Sequence, residues 1–587
     1  MTLHQYDYLF AMGIIFASLD AWNIGANDVA NSWATSVASQ SVTYLQAMIL
    51  ASLMEFAGSV GVGARVADTI RTKIVDTSLF KDEPAMLMLG MVCAVIASSC
   101  CLTMATRLGM PVSTTHSIMG GVIGMGVASV GASGVQWVGK GGALNSGVTQ
   151  VFLAWIIAPG LAGAFAAIIF LITKYAVMVR SNPAIWALRA IPFYFALAAS
   201  LLAMLLLWKG GNFTINLTNT ELIITIIGVG VGFGLLVAVT LVPWMYRVII
   251  KNDWQLRWYH IPLGLWLLRR PDAPPPPEGS APIVKDFYEG RVTKEELEAR
   301  RAAAAQRNDV EAAAPSASDP DKITKIEGSD TSVREEVTGT SPLANVRHPP
   351  RKSLVGPKPD GKWYEGRVLF WYFKWALLRG VDQEVVNAQS THSKLASNLD
   401  EVHAHAARYD NRAEYAYSFL QVMTAATASF THGANDIANA VGPFSTVFQI
   451  WDEGKIPESG KSQVPTWILV FGGVMLVIGV WTYGYNIMRN LGNRLTLQSP
   501  SRGFSMELGS AITVILATRL KLPVSTTQCI TGATVGVGLC SGTWRTVNWR
   551  MVAWIYFGWF ITLPVAATIS GCLMGIIINA PRWGYSG

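Results

Sequence analysis

Four acidic residues stand where acids are expensive. Asp28 lies in the run Ile24-Gly25-Ala26-Asn27-Asp28-Val29-Ala30-Asn31, and Asp436 in His432-Gly433-Ala434-Asn435-Asp436-Ile437-Ala438-Asn439; both runs are embedded in apolar sequence. Glu55 and Glu507 lie in apolar stretches of their own. A carboxylate held in a bilayer core costs about 2.5–3.5 kcal/mol on insertion scales, so it normally faces a cavity and a partner. No comparable set of lysines or arginines lies within those stretches. A bound cation, Na+ or H+, is the economical partner for Asp28, Asp436, Glu55 and Glu507. The amides of Asn31 and Asn439 add oxygen donors of the hard kind that Na+ prefers, as do those of Asn27 and Asn435. The plainer alternative is that these amides only hydrogen-bond helix to helix. Asn and Asp disfavour helix interiors, and Gly25 and Gly433 precede them. An unwound or kinked turn is therefore expected there.

A second motif suits an anion. Pro111-Val112-Ser113-Thr114-Thr115 returns as Pro523-Val524-Ser525-Thr526-Thr527. Proline disfavours the helical state in the residue before it and is tolerated in the first turn after a start. A helix restarting there presents unpaired N–H groups and a positive dipole end. Ser113, Thr114, Thr115, Ser525, Thr526 and Thr527 add hydroxyls, and two such starts converging would hold a tetrahedral oxyanion without arginine. Asn27 and Asn435 are the neighbouring amides assigned to the same anion. An anion beside carboxylates needs cations between them, so the two motifs together imply cation-coupled anion symport.

The elements that must position these residues are membrane helices. The 587-residue chain is 51% hydrophobic and only 14% charged, with a mean hydropathy of +0.35. A soluble protein of this length would carry a more charged surface. Spans of the necessary length, roughly 20 residues, begin near Tyr8, Tyr44, Ala85, Val112, Val148, Ile191 and Glu221, then near Tyr415, Trp467, Phe504, Val524 and Arg550. The expectation is an all-α polytopic membrane protein of about twelve segments, those at Val112 and Val524 short enough to be re-entrant or broken. No cleavable leader is evident, so the first helix is expected to act as an uncleaved signal. The six cysteines fit small buried side chains better than a metal site.

Both motifs recur in the same order, a gene duplication. Seven segments separate the two Gly-Ala-Asn-Asp runs, an odd number, so the copies are expected to have inverted topology. Arg247, Lys251, Arg257, Arg269 and Arg270 follow the seventh segment and place the centre of the chain in the cytoplasm. Sequons at Asn212 and Asn216 agree, and the N-terminus is then extracellular. Residues 1–250 form the first membrane half and 412–587 the second. Residues 251–411 are expected to be a large, mostly disordered cytoplasmic loop, with a transient helix over Lys294–Gln306. An amphipathic helix over 363–378 would lie on the anionic inner leaflet or pack as a cytoplasmic helix. His392, His403 and His405 read as solvated loop residues. The pentapeptide Tyr-Glu-Gly-Arg-Val, at Tyr288 and again at Tyr364, reads as coincidence.

The paired Gly-Ala-Asn-Asp-(Val/Ile)-Ala-Asn and Pro-Val-Ser-Thr-Thr segments resemble those of the inorganic phosphate transporter family, the sodium–phosphate symporters, and most of all its fungal high-affinity permeases. The likeness covers both membrane halves. It implies inverted repeats, homodimers, a plasma-membrane location and Na+-coupled uptake of phosphate, with no cofactor and no nucleic-acid partner. On it, Asp28 and Asp436 match the family's essential aspartates, and Glu55 and Glu507 its membrane glutamates. The repeats differ at His116 versus Gln528 and Ser117 versus Cys529. Three other readings remain: a proton-coupled phosphate permease, a sulfate permease, and a nutrient-sensing receptor derived from such a carrier. No constellation of an enzyme's catalytic residues lies in the spans.

Overall fold

The computed structural model describes residues 3–580 apart from 73, 140–146, 210–216, 281, 314–352, 379, 381–384, 386–388, 390–394, 457–463, 520, 521 and 523. Asn212, Asn216, His392 and Pro523, on which expectations rested, lie outside the described residues.

Seven long helices form the first half: α1 (Asp7–Ala38), α2 (Tyr44–Thr72), α3 (Pro84–Leu108), α4 (Thr114–Val130), α5 (Val148–Thr173), α6 (Pro183–Lys209) and α7 (Asn219–Met245). The longer helices described in the middle are α8 (Lys294–Ala313) and α9 (Gly366–Leu378), beside shorter ones such as Leu399–Ala404. The second half holds α10 (Asn411–Glu453), α11 (Thr466–Tyr483), α12 (Pro500–Arg519), α13 (Thr526–Ser541) and α14 (Trp549–Asn579). Each expected segment has its helix. The largest discrepancy is α6, which starts eight residues before Ile191 and carries Pro192 in its interior. Among the described residues eight helices are long and apolar enough to cross a membrane. With only 17 and 16 residues, α4 and α13 are too short; α10 and α12, rich in polar motif residues, fall outside the eight as well.

Contact pairs fix the directions. Leu3 N donates to the Trp451 carbonyl, Phe10 stacks on Trp451 at 4.4 Å, Ser32 meets His432 and Ser39 meets Gln421. Rising numbers on α1 meet falling numbers on α10, so these two motif-bearing helices are antiparallel. By the same test α3 runs parallel to α1, through Phe16–Ser99, Asn23–Thr103 and Asn27–Thr106. Likewise α12 runs parallel to α10, through Glu414–Ser501 and Thr424–Glu507.

Each of these parallel helices then doubles back. Ser117 of α4 bonds the Ser98 carbonyl of α3, and a Cβ at Gly121 would meet Ala94. In the second half, the Ser541 carbonyl at the end of α13 accepts from Ala407 N, while Arg502 at the start of α12 donates to the Ala407 carbonyl. Two helical hairpins thus enter from opposite ends of the bundle, and their tips meet where Thr527 Oγ1 donates to the Val112 carbonyl at 3.1 Å. Whether a hairpin passes through or turns back, its two arms add an even number of crossings, so the odd count between the motifs is unchanged.

The Gly-Ala-Asn-Asp runs are not unwound. Both α1 and α10 are continuous helix through them, which corrects the expected break. The glycines serve another purpose. A Cβ at Gly25 would lie 1.9 Å from the Leu476 carbonyl oxygen on α11, and one at Gly433 would lie 2.3 Å from that of Glu55 on α2. They permit backbone-to-backbone crossing, as small residues do between membrane helices. Partners fill the space that a bend was expected to open.

Parts of the segment between the halves are ordered. Tyr288 is buried; its hydroxyl donates to Glu414 at 2.8 Å and accepts from Tyr409 N. Tyr364 is exposed, so the two pentapeptide copies share no setting. His403 is buried with Nε2 2.8 Å from the Asn493 carbonyl, not solvated as expected. Burial, reinforced by the nearby Arg291, pushes its pKa down to about 3. Helix α8 runs seven residues further than Gln306, and α9 forms within the span expected for an amphipathic helix. Of the cysteines, Cys93, Cys101 and Cys529 are buried, whereas Cys100 and Cys572 are exposed.

Candidate functional site

At the hairpin tips the expected motif residues come together in a crossed arrangement. Asp28 sits mid-α1 and is 2% exposed. Its two oxygens accept from Asn31 Nδ2 and from Thr114 Oγ1, both at 3.1 Å. Asp436, equally buried, accepts from Asn435 Nδ2 at 2.9 Å and from Thr526 Oγ1 at 2.9 Å. Each aspartate therefore holds the first threonine of the hairpin in its own half.

The asparagines cross between halves. Asn31 of α1 donates to Thr526 Oγ1 (3.3 Å) and Thr527 Oγ1 (2.9 Å) of the second hairpin. Asn439 of α10 donates to Thr114 Oγ1 (3.0 Å) and Thr115 Oγ1 (3.2 Å) of the first. In both, the amide nitrogen is committed and the carbonyl oxygen is buried without a hydrogen-bond partner. Two orphaned carbonyl oxygens beside two carboxylates form a donor set suited to a hard cation.

Asn27 does something else. Its Nδ2 bonds Thr106 Oγ1 (3.3 Å) and the Met110 carbonyl (3.2 Å), and its Oδ1 accepts from Val112 N (3.3 Å). It ties α1 to the backbone between α3 and α4. Ser113 and Ser525 cap α4 and α13, accepting from His116 N and Gln528 N. The helices thus begin three residues after the expected proline in the first case, and after Ser525 in the second. The first-turn N–H groups of such a start lack intrahelical partners and remain suited to an anion.

The two glutamates sit in unlike surroundings. Glu507 on α12 is saturated: Oε1 accepts from Thr35 (2.6 Å), Ser36 (2.7 Å) and Gln421 (3.1 Å), and Oε2 from Thr424 (2.6 Å). Glu55 on α2 accepts from Ser429 at 3.3 Å. Asp28, Asp436 and Glu55 are close enough to repel one another, and the partners named above are all neutral. The sequence reading did not include Thr35, Ser36, Gln421, Thr424 or the Ser32–His432 contact at 2.9 Å. Only the spacing of Gln421 and Thr424, on one face of α10, was there to mark them.

The chain resembles proteins across its length. It is 69% identical to the phosphate-repressible phosphate permease pho-4 of Neurospora crassa, with all of both chains covered. It is 29% identical to sodium-dependent phosphate transporter 2 of Felis catus, covering 98% of this chain and 99% of the relative. A solved structure described as the sodium-dependent phosphate transporter shares the fold at a TM-score of 0.57 and 24% identity, over 98% of this chain and 100% of that one. The model of the phosphate transporter family matches residues 24–570, and the chain belongs to that family.

Proposed function

We propose that this chain takes up inorganic phosphate by symport with Na+ across the plasma membrane. It is a transporter, not an enzyme. The observation that carries the mechanism is the crossed set of Asn31 and Asn439 on the two hairpin tips, each with an orphaned carbonyl oxygen beside an aspartate. In this reading Asp28, Asp436, Asn31 and Asn439 hold Na+, with Glu55 close to the same set and Glu507 holding a second, donor-rich position. Thr114, Thr115, Thr526 and Thr527 present hydroxyls to phosphate, and the helix starts at Ser113 and Ser525 add N–H groups. Asn435 lies at the edge of this pocket, and Asn27 supports it from behind. The cations separate the anion from the three mutually repelling carboxyls.

The membrane halves are inverted repeats, with the N-terminus outside, the segment 251–411 in the cytoplasm and a homodimer as the assembly. The antiparallel α1 and α10, and hairpins entering from opposite ends, support the repeat reading. Radiolabelled phosphate uptake into vesicles with imposed Na+ or H+ gradients, and sulfate as competitor, tests the function. Accumulation driven by the Na+ gradient and resistant to sulfate is expected. Accumulation indifferent to Na+ would remove the sodium coupling, and competition by sulfate would remove the selectivity.

A further inference from the structure

One buried acid takes no part in the site at the hairpin tips. Asp20 lies on α1 eight residues before Asp28, ~12 Å along the helix at 1.5 Å per residue, and is fully buried. Neither of its carboxylate oxygens has a hydrogen-bond partner, although the Ser98 and Ser99 side chains of α3 lie beside it. One turn on, at a spacing that places it on the same helix face, Asn23 is also fully buried. Its Nδ2 is spent on Thr103 Oγ1 (2.8 Å) and the Leu19 carbonyl (2.9 Å). Its Oδ1 has no partner, and neither has Ser98 Oγ. Ser99 Oγ is turned away, donating to the Phe16 carbonyl at 2.8 Å.

Along the seam between α1 and α3, three buried acceptor oxygens thus lack a hydrogen-bond partner, two of Asp20 and Oδ1 of Asn23, and the unpartnered Ser98 hydroxyl lies near enough to act on Asp20. A buried polar group left unpaired is costly, and a buried carboxylate more so. A desolvated cation beside Asp20 removes that penalty. Carboxylate, carbonyl and hydroxyl oxygens are the ligands hard cations take.

We propose that Asp20, Asn23 and Ser98 form a further Na+ site, separate from those at the hairpin tips and at Glu507. The proposal rests on the cation-coupled reading above. The second half offers no equivalent: counting from the aligned motifs, Asp20 corresponds to Ala428 and Asn23 to Thr431. The extra ion is thus a property of one half only.

The test separates this site from the central one by binding, not by transport. Purified protein carrying Asp28→Asn and Asp436→Asn together should still bind radioactive Na+ saturably and gain thermal stability in NaCl over choline chloride. Adding Asp20→Asn should remove one saturable Na+ component and the stabilisation that goes with it. Ser98→Ala, which keeps the acid and changes little volume, should raise the half-saturating Na+ about 10-fold, the usual scale for loss of one supporting ligand. In the otherwise native chain, Asp20→Asn should lower the Na+ taken up per phosphate. A triple variant that binds as much Na+ as the double variant overturns the site, as does a double variant that binds none. If Asp20→Asn fails to fold, an unchanged Na+ affinity in Ser98→Ala overturns it alone. A variant that alters only the pH profile, with Na+ binding intact, assigns Asp20 a proton and also overturns it. Wild-type uptake indifferent to Na+ would end the symport reading, whereas these binding results would still judge the Asp20 site.

Discussion

The two halves of the molecule agree at the hairpin tips and disagree away from them. At the tips, the Asn31 contacts with Thr526 and Thr527 are matched by those of Asn439 with Thr114 and Thr115, within 0.3 Å or less. Away from the tips, Glu507 has four donors and sits on α12, whereas Glu55 is on α2, which is not the corresponding helix. His116 accepts from Trp155 Nε1 at 2.8 Å, while both amide atoms of Gln528 are without partners. The crossed asparagine contacts are matched between the halves, and the acids away from them are not.

The comparison can be broken first at its crossings. Gly25→Ala and Gly433→Ala should each remove folded protein from the membrane, since a backbone carbonyl occupies the space of the new methyl in both. Surface-expression blots check this, and normal expression of either variant would show that the crossing can relax. Next come the aspartates. Asp28→Asn and Asp436→Asn should each reduce phosphate uptake to the background of empty vesicles with normal expression, and activity surviving in only one would make the matched half-sites unequal. The glutamates should separate by readout. Glu507→Gln puts an amide among several hydroxyl donors, and bonds to a charged acceptor are worth about 1.5–3 kcal/mol each, so it should lower the melting temperature more than Glu55→Gln does. The reverse order would mean that the donors around Glu507 contribute little. The smallest effect is expected at His403. Its folded pKa, about 3, lies below the ordinary 6.5, so the unfolded chain binds the extra proton. The stability it lends is present above pH 6.5 and declines as pH falls toward 3. His403→Asn should flatten the acid limb of the melting-temperature profile; an unchanged limb would remove the histidine from it.

Much of this was legible in the sequence, for reasons that mark the limits too. Helix existence followed from apolar length, and the Ser-Thr-Thr starts followed from cap chemistry that a neighbour cannot easily override. Asp28 and Asp436 were recognisable because an acid in an apolar run has few explanations. Gly25 and Gly433 were misread because a helix-breaking tendency is local, while the helices that cross there come from elsewhere in the chain. Asn27 was assigned to the anion with its neighbours, and it meets the Thr106 hydroxyl and backbone groups at residues 110 and 112, a tertiary relation no spacing reveals. Asp20 was visible in the first apolar run, but only the nearness of α3 shows how many oxygens surround it.

The meeting of the hairpin tips ties any movement of one hairpin to the other. The bond between Thr527 and Val112 joins the two tips. The far arms are stitched to helices of the opposite half, Gly124 of α4 against Ala567 of α14 and Gly532 of α13 against Pro159 of α5. Withdrawing either hairpin breaks that bond together with the asparagine contacts that reach it from the other half. A displacement that starts in one half therefore loosens the contacts of the other.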